Sequence, residues 1–368
     1  MQPFIKKINS FIQQNNLIPQ DSKIILGLSG GPDSIFLLHL LAPLHHKGII
    51  TLTAAHLDHE WRPESGKDVK FCQQATVQLG VQLVNRKISD LGLDLKFNGS
   101  REELARKARR HFLEQVRTDY QANLIAVGHH ANDQQETFFI RLIRGASLTG
   151  LTAMKPKNDE YIRPLLQTYK ADILAYLTTN NIPYLLDYTN ESDDYLRNRI
   201  RNQVLPALQK TDARFDANFS HALERLHETE KFLDMLTQET FEKLVTKENN
   251  LDPGIPSVFL NAMKKNVSRD EPLWLNLPAL CALDPVIQQR ILVRWLCIAN
   301  VPFTPSSHFF AEIMRFLHQP GGGEHAIHQQ WSLLKKKKMV SIKHKNLAEK
   351  WSSGNIGEHL KTCLHLNK

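Results

Sequence analysis

Cysteine is scarce and unpaired in this chain, and its pattern excludes several classes of protein at once. Cys72, Cys281, Cys297 and Cys363 are scattered through 368 residues, with no C-x-x-C pair and no metal-ligand spacing. A disulfide scaffold and a cysteine-based metal site both lose their support, and the four thiols read as reduced, in a cytoplasmic protein. Long apolar runs are also missing. None approaches the roughly 18 residues that a membrane span needs. The opening residues, Met1 to Lys7, lack the apolar core of a signal peptide. No internal repeat is visible, and Lys335, Lys336, Lys337 and Lys338 form the one low-complexity run.

What is present is the composition of an ordinary soluble protein, 42% hydrophobic and 23% charged, in a chain long enough for two or three domains. The net charge of +8 is compatible with a polyanionic partner. Its distribution is uneven. From Glu324 to Lys368 there are nine Lys, three Glu and neither Arg nor Asp, a local net of +6. The basic excess therefore sits at the carboxyl end, as a solvated tail or as a phosphate contact.

The most informative segment is Ser29-Gly30-Gly31-Pro32-Asp33-Ser34, which lies between two apolar runs, residues 23–28 and 35–41. That order predicts strand, glycine turn and helix. Glycines let the backbone approach an anion, and the helix amino end offers free N–H groups and a positive dipole end. Two serine hydroxyls flank the turn. The loop is a phosphate cradle with one component missing. No lysine follows the glycines, so the pattern G-x-x-x-x-G-K-[ST] of kinases and GTPases is absent.

Around this loop the first half of the chain alternates strand-like and helix-like segments, the signature of a parallel sheet covered on both faces. Strands are expected at residues 50–58, 81–84 and 124–128, and helices at 64–79, 101–120 and about 134–144. Residues 163–166, a helix over 170–179 and residues 184–187 complete the domain. Ligands of such sheets sit beyond the carboxyl ends of the strands. The polar clusters at Ser29, His56 and His129 all fall on that edge. From about residue 212 the alternation stops. A long polar helix over 215–244, a loop over 249–256 and helices over 285–299 and 302–319 are expected there. Short strands follow near 331–334 and 339–342. The expected organisation is an α/β domain over 1–212, a mainly helical substrate-binding domain over 213–345, and a short basic tail over 346–368.

The second chemical cluster is Gly128-His129-His130-Ala131-Asn132-Asp133-Gln134-Gln135-Glu136-Thr137. If a helix begins near Asp133, then Asp133 and Glu136 share one of its faces. Two such carboxylates can hold Mg²⁺ on a nucleotide or an ammonium group on a substrate, or simply cap the helix. His129 and His130 can orient a phosphate, act as acid/base groups, or be structural. Arg197, Asn198 and Arg201 read equally as site residues or as a solvated helix face.

The loop S-G-G-x-D-S resembles the pyrophosphate-binding loop of the N-type ATP pyrophosphatases, the PP-loop superfamily, whose sheet is Rossmann-like. Further motifs narrow that resemblance to the tRNA(Ile)-lysidine synthetases. They are His56-Leu57-Asp58-His59-Glu60-Trp61-Arg62, the Glu102/Arg106/Arg109 spacing, the Gly128 to Thr137 segment with Arg141, Arg144 and Gly145, Arg163-Pro164-Leu165-Leu166, and the run from Asp187 to Arg201. With the loop these make six ordered motifs over residues 23–208. One departure is visible: Ser192 stands where that family usually has Asp, and Asp193 follows it. The later stretch around Ala282, Arg290, Arg294 and Trp295 resembles the family's helical domain more loosely. With few residues after Lys343, a further carboxyl-terminal domain is expected to be truncated.

The resemblance implies an ATP-dependent ligase that acts on an isoleucine tRNA with a CAU anticodon. The O2 of the wobble cytidine attacks the α-phosphate of ATP, pyrophosphate leaves, and the ε-amine of free L-lysine displaces AMP to give lysidine. Codon specificity then changes from AUG to AUA. The implied nucleotide contacts are Ser29, Gly30, Gly31, Pro32, Asp33, Ser34, His56 and His129. Mg²⁺ falls to Asp33 and Asp133. The catalytic set is Asp33, Arg106, Asp133, Glu136 and Arg197, with Asp133 and Glu136 facing the lysine ammonium and the arginines facing phosphate or carboxylate. A homodimer is compatible with this reading. Three rivals remain: a tRNA thiolase, an amide-forming synthetase, and a catalytically silent RNA-binding protein. The unpaired cysteines disfavour the first, the lack of a nucleophilic-cysteine motif the second, and the intact Ser29, Asp33, Ser34 and Asp133 the third.

Overall fold

The computed structural model describes residues 2–61, 65–92, 101–186, 195–247 and 273–344. Contacts divide the chain into two compact units, one of residues 1–145 and 152–222, the other of residues 146–151 and 223–368.

In the first unit the strands are β1 (Ser22–Gly27), β2 (Ile50–Asp58), β3 (Gln82–Lys87), β4 (Leu124–Ala126), β5 (Lys157–Asn158) and β6 (Tyr161–Ile162). They lie in the order β3-β2-β1-β4-β6-β5, parallel throughout except for the antiparallel β5–β6 pair. Alternate residues of β1 show why both faces are covered. Ile24 and Leu26 enter one core with Phe36, Leu37 and Leu41, while Ile25 enters another with Phe112, Leu113 and Ile125. A strand buried on both sides reads as a continuous apolar run, as residues 24–26 do. The first helices of this unit are α1 (Gln2–Gln14), α2 (Pro32–His46), α3 (Ser65–Gln78), α4 (Arg101–Asp119), α5 (Ala131–Ile143) and α7 (Lys170–Thr179); the short α6 (Leu148–Leu151), between the last two in sequence, belongs to the second unit. This is the doubly wound α/β sheet expected from the alternation. The chain runs outward through β1, β2 and β3, then returns to place β4 on the other side of β1. The topological switch point thus lies at the carboxyl ends of β1 and β4.

Two segments depart from the expected pattern. The strands that close the sheet are β5 and β6, while Arg163 to Gln167 forms a turn in which Leu166 N–H donates to Arg163 O. Residues 183–186 are irregular, yet Leu185 N–H donates to Gly30 O at 2.9 Å, so this stretch returns to the loop.

After α8 (Leu196–Arg199) come a π-helical turn (Ile200–Val204), α9 (Leu205–Thr211) and the long α10 (Phe215–Leu244), within which the division between the units falls. The second unit carries the expected helices, Pro285–Ile298 and Ser307–His318, and the shorter Leu277–Cys281. It also carries an antiparallel sheet of β7 (Val245–Lys247), β8 (Leu273–Asn276), β9 (Gly323–His328), β10 (Trp331–Lys336) and β11 (Met339–His344), in the order β7-β8-β11-β10-β9. Phe241, Leu275, Ile291, Trp295, Ile313, Leu333 and Val340 form its core. The loop expected over 249–256 and the tail over 346–368 lie outside the described residues.

Lys335 corrects one expectation about the basic end. It is only 5% exposed, and its ammonium donates to the carbonyls of Leu317, at 2.9 Å, and Gln319, at the end of helix Ser307–His318. A cation at a helix carboxyl terminus meets the unpaired carbonyls there. This lysine is therefore a buried cap, and Lys336, Lys337 and Lys338 are the exposed ones.

Candidate active site

The loop that leaves β1 is shaped by one glycine with a left-handed backbone. Gly30 has φ of 84°, and a Cβ there would lie 2.7 Å from Leu185 Cδ1. Any side chain would therefore be strained and would displace the returning segment. Gly31 caps α2, Pro32 takes its first turn, and Asp33 follows. Proline is suited to that position, since its missing N–H would have had no intrahelical partner.

The two serines do different work. Ser34 is buried, donates to Gly31 O at 3.0 Å and accepts from Ser29 N–H at 3.2 Å, so its hydroxyl holds the turn together. Ser29 is exposed, with its Oγ 3.2 Å from that of Ser34, and presents its hydroxyl at the loop mouth. His56 lies at the end of β2, buried, with Nδ1 2.9 Å from Leu28 O. Burial lowers its pKa, so the neutral ring donates through Nδ1 to the strand that enters the loop. Cys72 Sγ lies 3.4 Å from the same nitrogen, and burial pushes that thiol up to about 12, which leaves it an inert protonated group.

The loop after β4 closes on Asp33 from the other side. A Cβ on Gly128 would lie 3.1 Å from the Asp33 carbonyl carbon, so glycine allows the two segments to touch. Helix α5 begins at Ala131, two residues earlier than expected, and Asp133 sits in its first turn. Its Oδ2 accepts His130 N–H at 2.9 Å, while its Oδ1 lies 3.4 Å from Arg197 Nη2. Capping and site geometry thus use different oxygens of one carboxylate. Burial works against this charge, but His130, His129 and Arg197 outweigh it and hold the pKa down to about 2.

His130 Nε2 lies 3.8 Å from Asp33 Oδ2 and 3.6 Å from Asp133 Oδ2, so the two predicted metal ligands flank one ring nitrogen. His130 Nδ1, His129 Nδ1 and Asp33 Oδ1 are buried without a hydrogen-bond partner. Such orphaned atoms are rare in folded proteins and point to a ligand. The His129 ring is held near pKa 4, mainly by burial and further by Arg163, Arg197 and His130, against Asp133.

Glu136 is where the predicted site changes character. It is 1% exposed, and both oxygens are taken: Oε2 accepts from Arg197 Nε at 2.7 Å, Oε1 from Arg201 Nε at 2.6 Å. An ammonium at Glu136 would meet two guanidiniums, so its contact here is with arginine. Arg197 and Arg201 lie on α8 and the π-helical turn, and Arg197 joins Glu136 to Asp133. Single π-turns inside helices are rare and frequent at functional sites.

Arg106 is exposed on α4, while Arg109, one turn on, acts electrostatically on His56 and His59. Arg163 is buried and donates to Lys155 O at 2.8 Å, with Leu165 and Leu166 in the core. The R-P-L-L motif is therefore a packed turn. Arg62, the Glu102 side chain and Asp193 lie outside the described residues. The residue that pattern reasoning missed is Lys170, at the start of α7, whose Nζ lies 3.4 Å from Asp33 Oδ2. Its one signal was position, as the cation opening the helix after R-P-L-L.

Comparison with known proteins follows the same division. A model of the PP-loop domain matches residues 1–208. The tRNA(Ile)-lysidine synthase of Bacillus cereus (strain ATCC 14579) is 29% identical over 329 residues, which is 87% of this chain and 65% of that protein. That of Bacillus subtilis (strain 168) is 34% identical over 272 residues, 72% of this chain and 57% of that protein. The chain thus spans less than two thirds of the length of these curated relatives. Among solved structures, the U34-tRNA thiolase NcsA from Methanococcus maripaludis, with its [4Fe-4S] cluster, is 20% identical with a TM-score of 0.53. It covers 62% of this chain and 80% of its own, a likeness of fold. With the loop, the switch-point sheet and a family match over more than half its length, this chain belongs to the PP-loop domain family.

Proposed function

We propose that this chain is a tRNA-modifying ligase that makes lysidine from an isoleucine tRNA, ATP and free L-lysine. The observation that carries the ATP part is the pair Asp33 and Asp133 on either side of His130 at the mouth of the Ser29–Ser34 loop. The likeness to tRNA(Ile)-lysidine synthases over 87% of the chain supports the choice of RNA and amine.

In this reading ATP lies with its phosphates against the Ser29 hydroxyl and the open amides of the first turn of α2. Asp33 and Asp133 fit Mg²⁺: both offer hard oxygen donors, Asp33 Oδ1 is buried without a partner, and Asp133 stays ionised. An ion held by Asp33 and Asp133 would supply neutralisation of the phosphate charge. The cytidine O2 forms a bond to the α-phosphorus and the bond to the pyrophosphate oxygen breaks. The lysine ε-amine then bonds to C2, AMP departs, and the amine loses a proton. No protein nucleophile is needed, so positioning and charge neutralisation carry the catalysis. Glu136 serves by fixing Arg197 beside Asp133, and His56 by holding the strand before the loop.

Mass spectrometry of an unmodified isoleucine tRNA after incubation with the chain, ATP, Mg²⁺ and lysine tests this directly. The expected result is a lysine added to the anticodon-loop fragment. Pyrophosphate release with no lysine in the RNA would overturn the lysidine reading and leave the ATP chemistry standing.

A further inference from the structure

We propose that Lys170 is a phosphate-binding residue, which supplies to the triphosphate the ammonium that the glycine loop itself lacks. The inference rests on the ATP reading above and adds a group to the same site. The loop from Ser29 to Ser34 contains no cation, and the residue after it is Ile35. In space the missing charge arrives from 137 residues away, with Lys170 Nζ 3.4 Å from Asp33 Oδ2.

The backbone under Lys170 is fixed to the site. Its own N–H donates to Asn132 Oδ1 at 3.0 Å, and Ala131 N–H donates to Thr168 O at 2.8 Å, so the amino ends of α5 and α7 are joined at two points. Behind them α7 packs on α2 through Tyr176 and Phe36, rings edge to face with centroids 5.0 Å apart. The side chain, by contrast, is lightly held. It is 43% exposed, and its ion pair with Asp33 is long for a charged hydrogen bond. An exposed pair of this kind holds its partner weakly. The ammonium can therefore leave Asp33 for a phosphate oxygen at little cost. Arg197 is differently placed, because Glu136 and Asp133 already engage it.

The test is equilibrium binding of ATP and of adenosine to the full chain in Mg²⁺, for the wild type, Lys170→Met and Lys170→Arg, with thermal melting of each. Loss of one charge-assisted bond predicts ATP binding roughly 10- to 100-fold weaker in Lys170→Met, with adenosine binding unchanged and part of the loss restored in Lys170→Arg. Unchanged ATP affinity in Lys170→Met would overturn the proposal while leaving the ATP reading intact. Equal losses for ATP and adenosine would also overturn it, by showing that Lys170 only supports the fold of the loop. A wild-type chain that binds no ATP would remove the underlying reading as well.

Discussion

Each unit contains a buried arginine–glutamate cluster, and the two differ in what they leave unsatisfied. In the second unit Arg290 donates to Glu230 at 2.9 and 3.0 Å, to Asp234, to Thr237 Oγ1 at 3.2 Å and to Thr149 Oγ1 at 3.3 Å, which uses all three of its nitrogens. In the first unit Glu136 is equally well held by Arg197 and Arg201, but the network continues into Asp33, His129 and His130, each with a buried atom lacking a partner. A buried ion pair by itself is therefore no sign of chemistry. What marks the first cluster is that three such orphaned atoms, on Asp33, His129 and His130, gather at one loop mouth, each costing free energy to bury unpaired.

That contrast can be broken by mutation. Replacing Asp133 by Asn should lower the rate of ATP cleavage on the order of 100-fold or more, as loss of a positioned charge at a reacting centre does, and should cost about 1–3 kcal/mol of stability through the weakened contacts with His130 and Arg197. A large fall in stability with modest loss of rate would make Asp133 a brace like Glu230. Replacing Glu230 by Leu should do the reverse. It strands the Arg290 charge and should cost about 3–5 kcal/mol of stability, while kcat measured below the transition stays near wild type. Chemical denaturation followed by tryptophan fluorescence reads the first quantity and a pyrophosphate assay the second.

A smaller effect is expected at Lys335. Its replacement by Met removes the donor to the carbonyls after helix Ser307–His318 and should cost about 1–3 kcal/mol, with no change in the salt dependence of RNA binding. A flatter salt slope would instead make Lys335 a phosphate contact.

A further effect concerns pH. The folded-state pKa of His129 is depressed from 6.5 to about 4, so between those values the unfolded chain binds the proton and the folded chain does not. Stability should therefore fall as pH drops from about 6.5 to 4, and His129→Gln should flatten that slope by up to one proton. Asp133 acts lower, since a carboxylate depressed from 3.8 to about 2 loses its stabilisation as pH falls through that interval. An unchanged slope in His129→Gln would show that His129 titrates normally.

How much was legible in advance follows from the range of the contacts. The strand–loop–helix at Ser29 to Ser34 is encoded locally, by an apolar run, two glycines and a proline. The doubly wound sheet follows from alternation, and α7 and α10 end where their patterns end. Contacts 60 or more residues apart left no local trace. Glu136 pairs with Arg197 and Arg201 across 61 and 65 residues, so its carboxylate looked open when only its own helix was considered. Lys170 was missed and Lys335 misplaced for the same reason: a lysine's surroundings are set by what folds against it. Strands of two residues, β5 and β6, are too short to show a period of two, and β9, from Gly323 to His328, carries few β-forming residues.

In the function proposed above, the Asp33–His130–Asp133 mouth cleaves ATP between its α- and β-phosphates. Phosphorus NMR of the nucleotide products, with isoleucine tRNA and lysine present, tests it most directly. The expected products are AMP and pyrophosphate in equal amounts, with sustained turnover only when both co-substrates are present. ADP and inorganic phosphate as the products would contradict it.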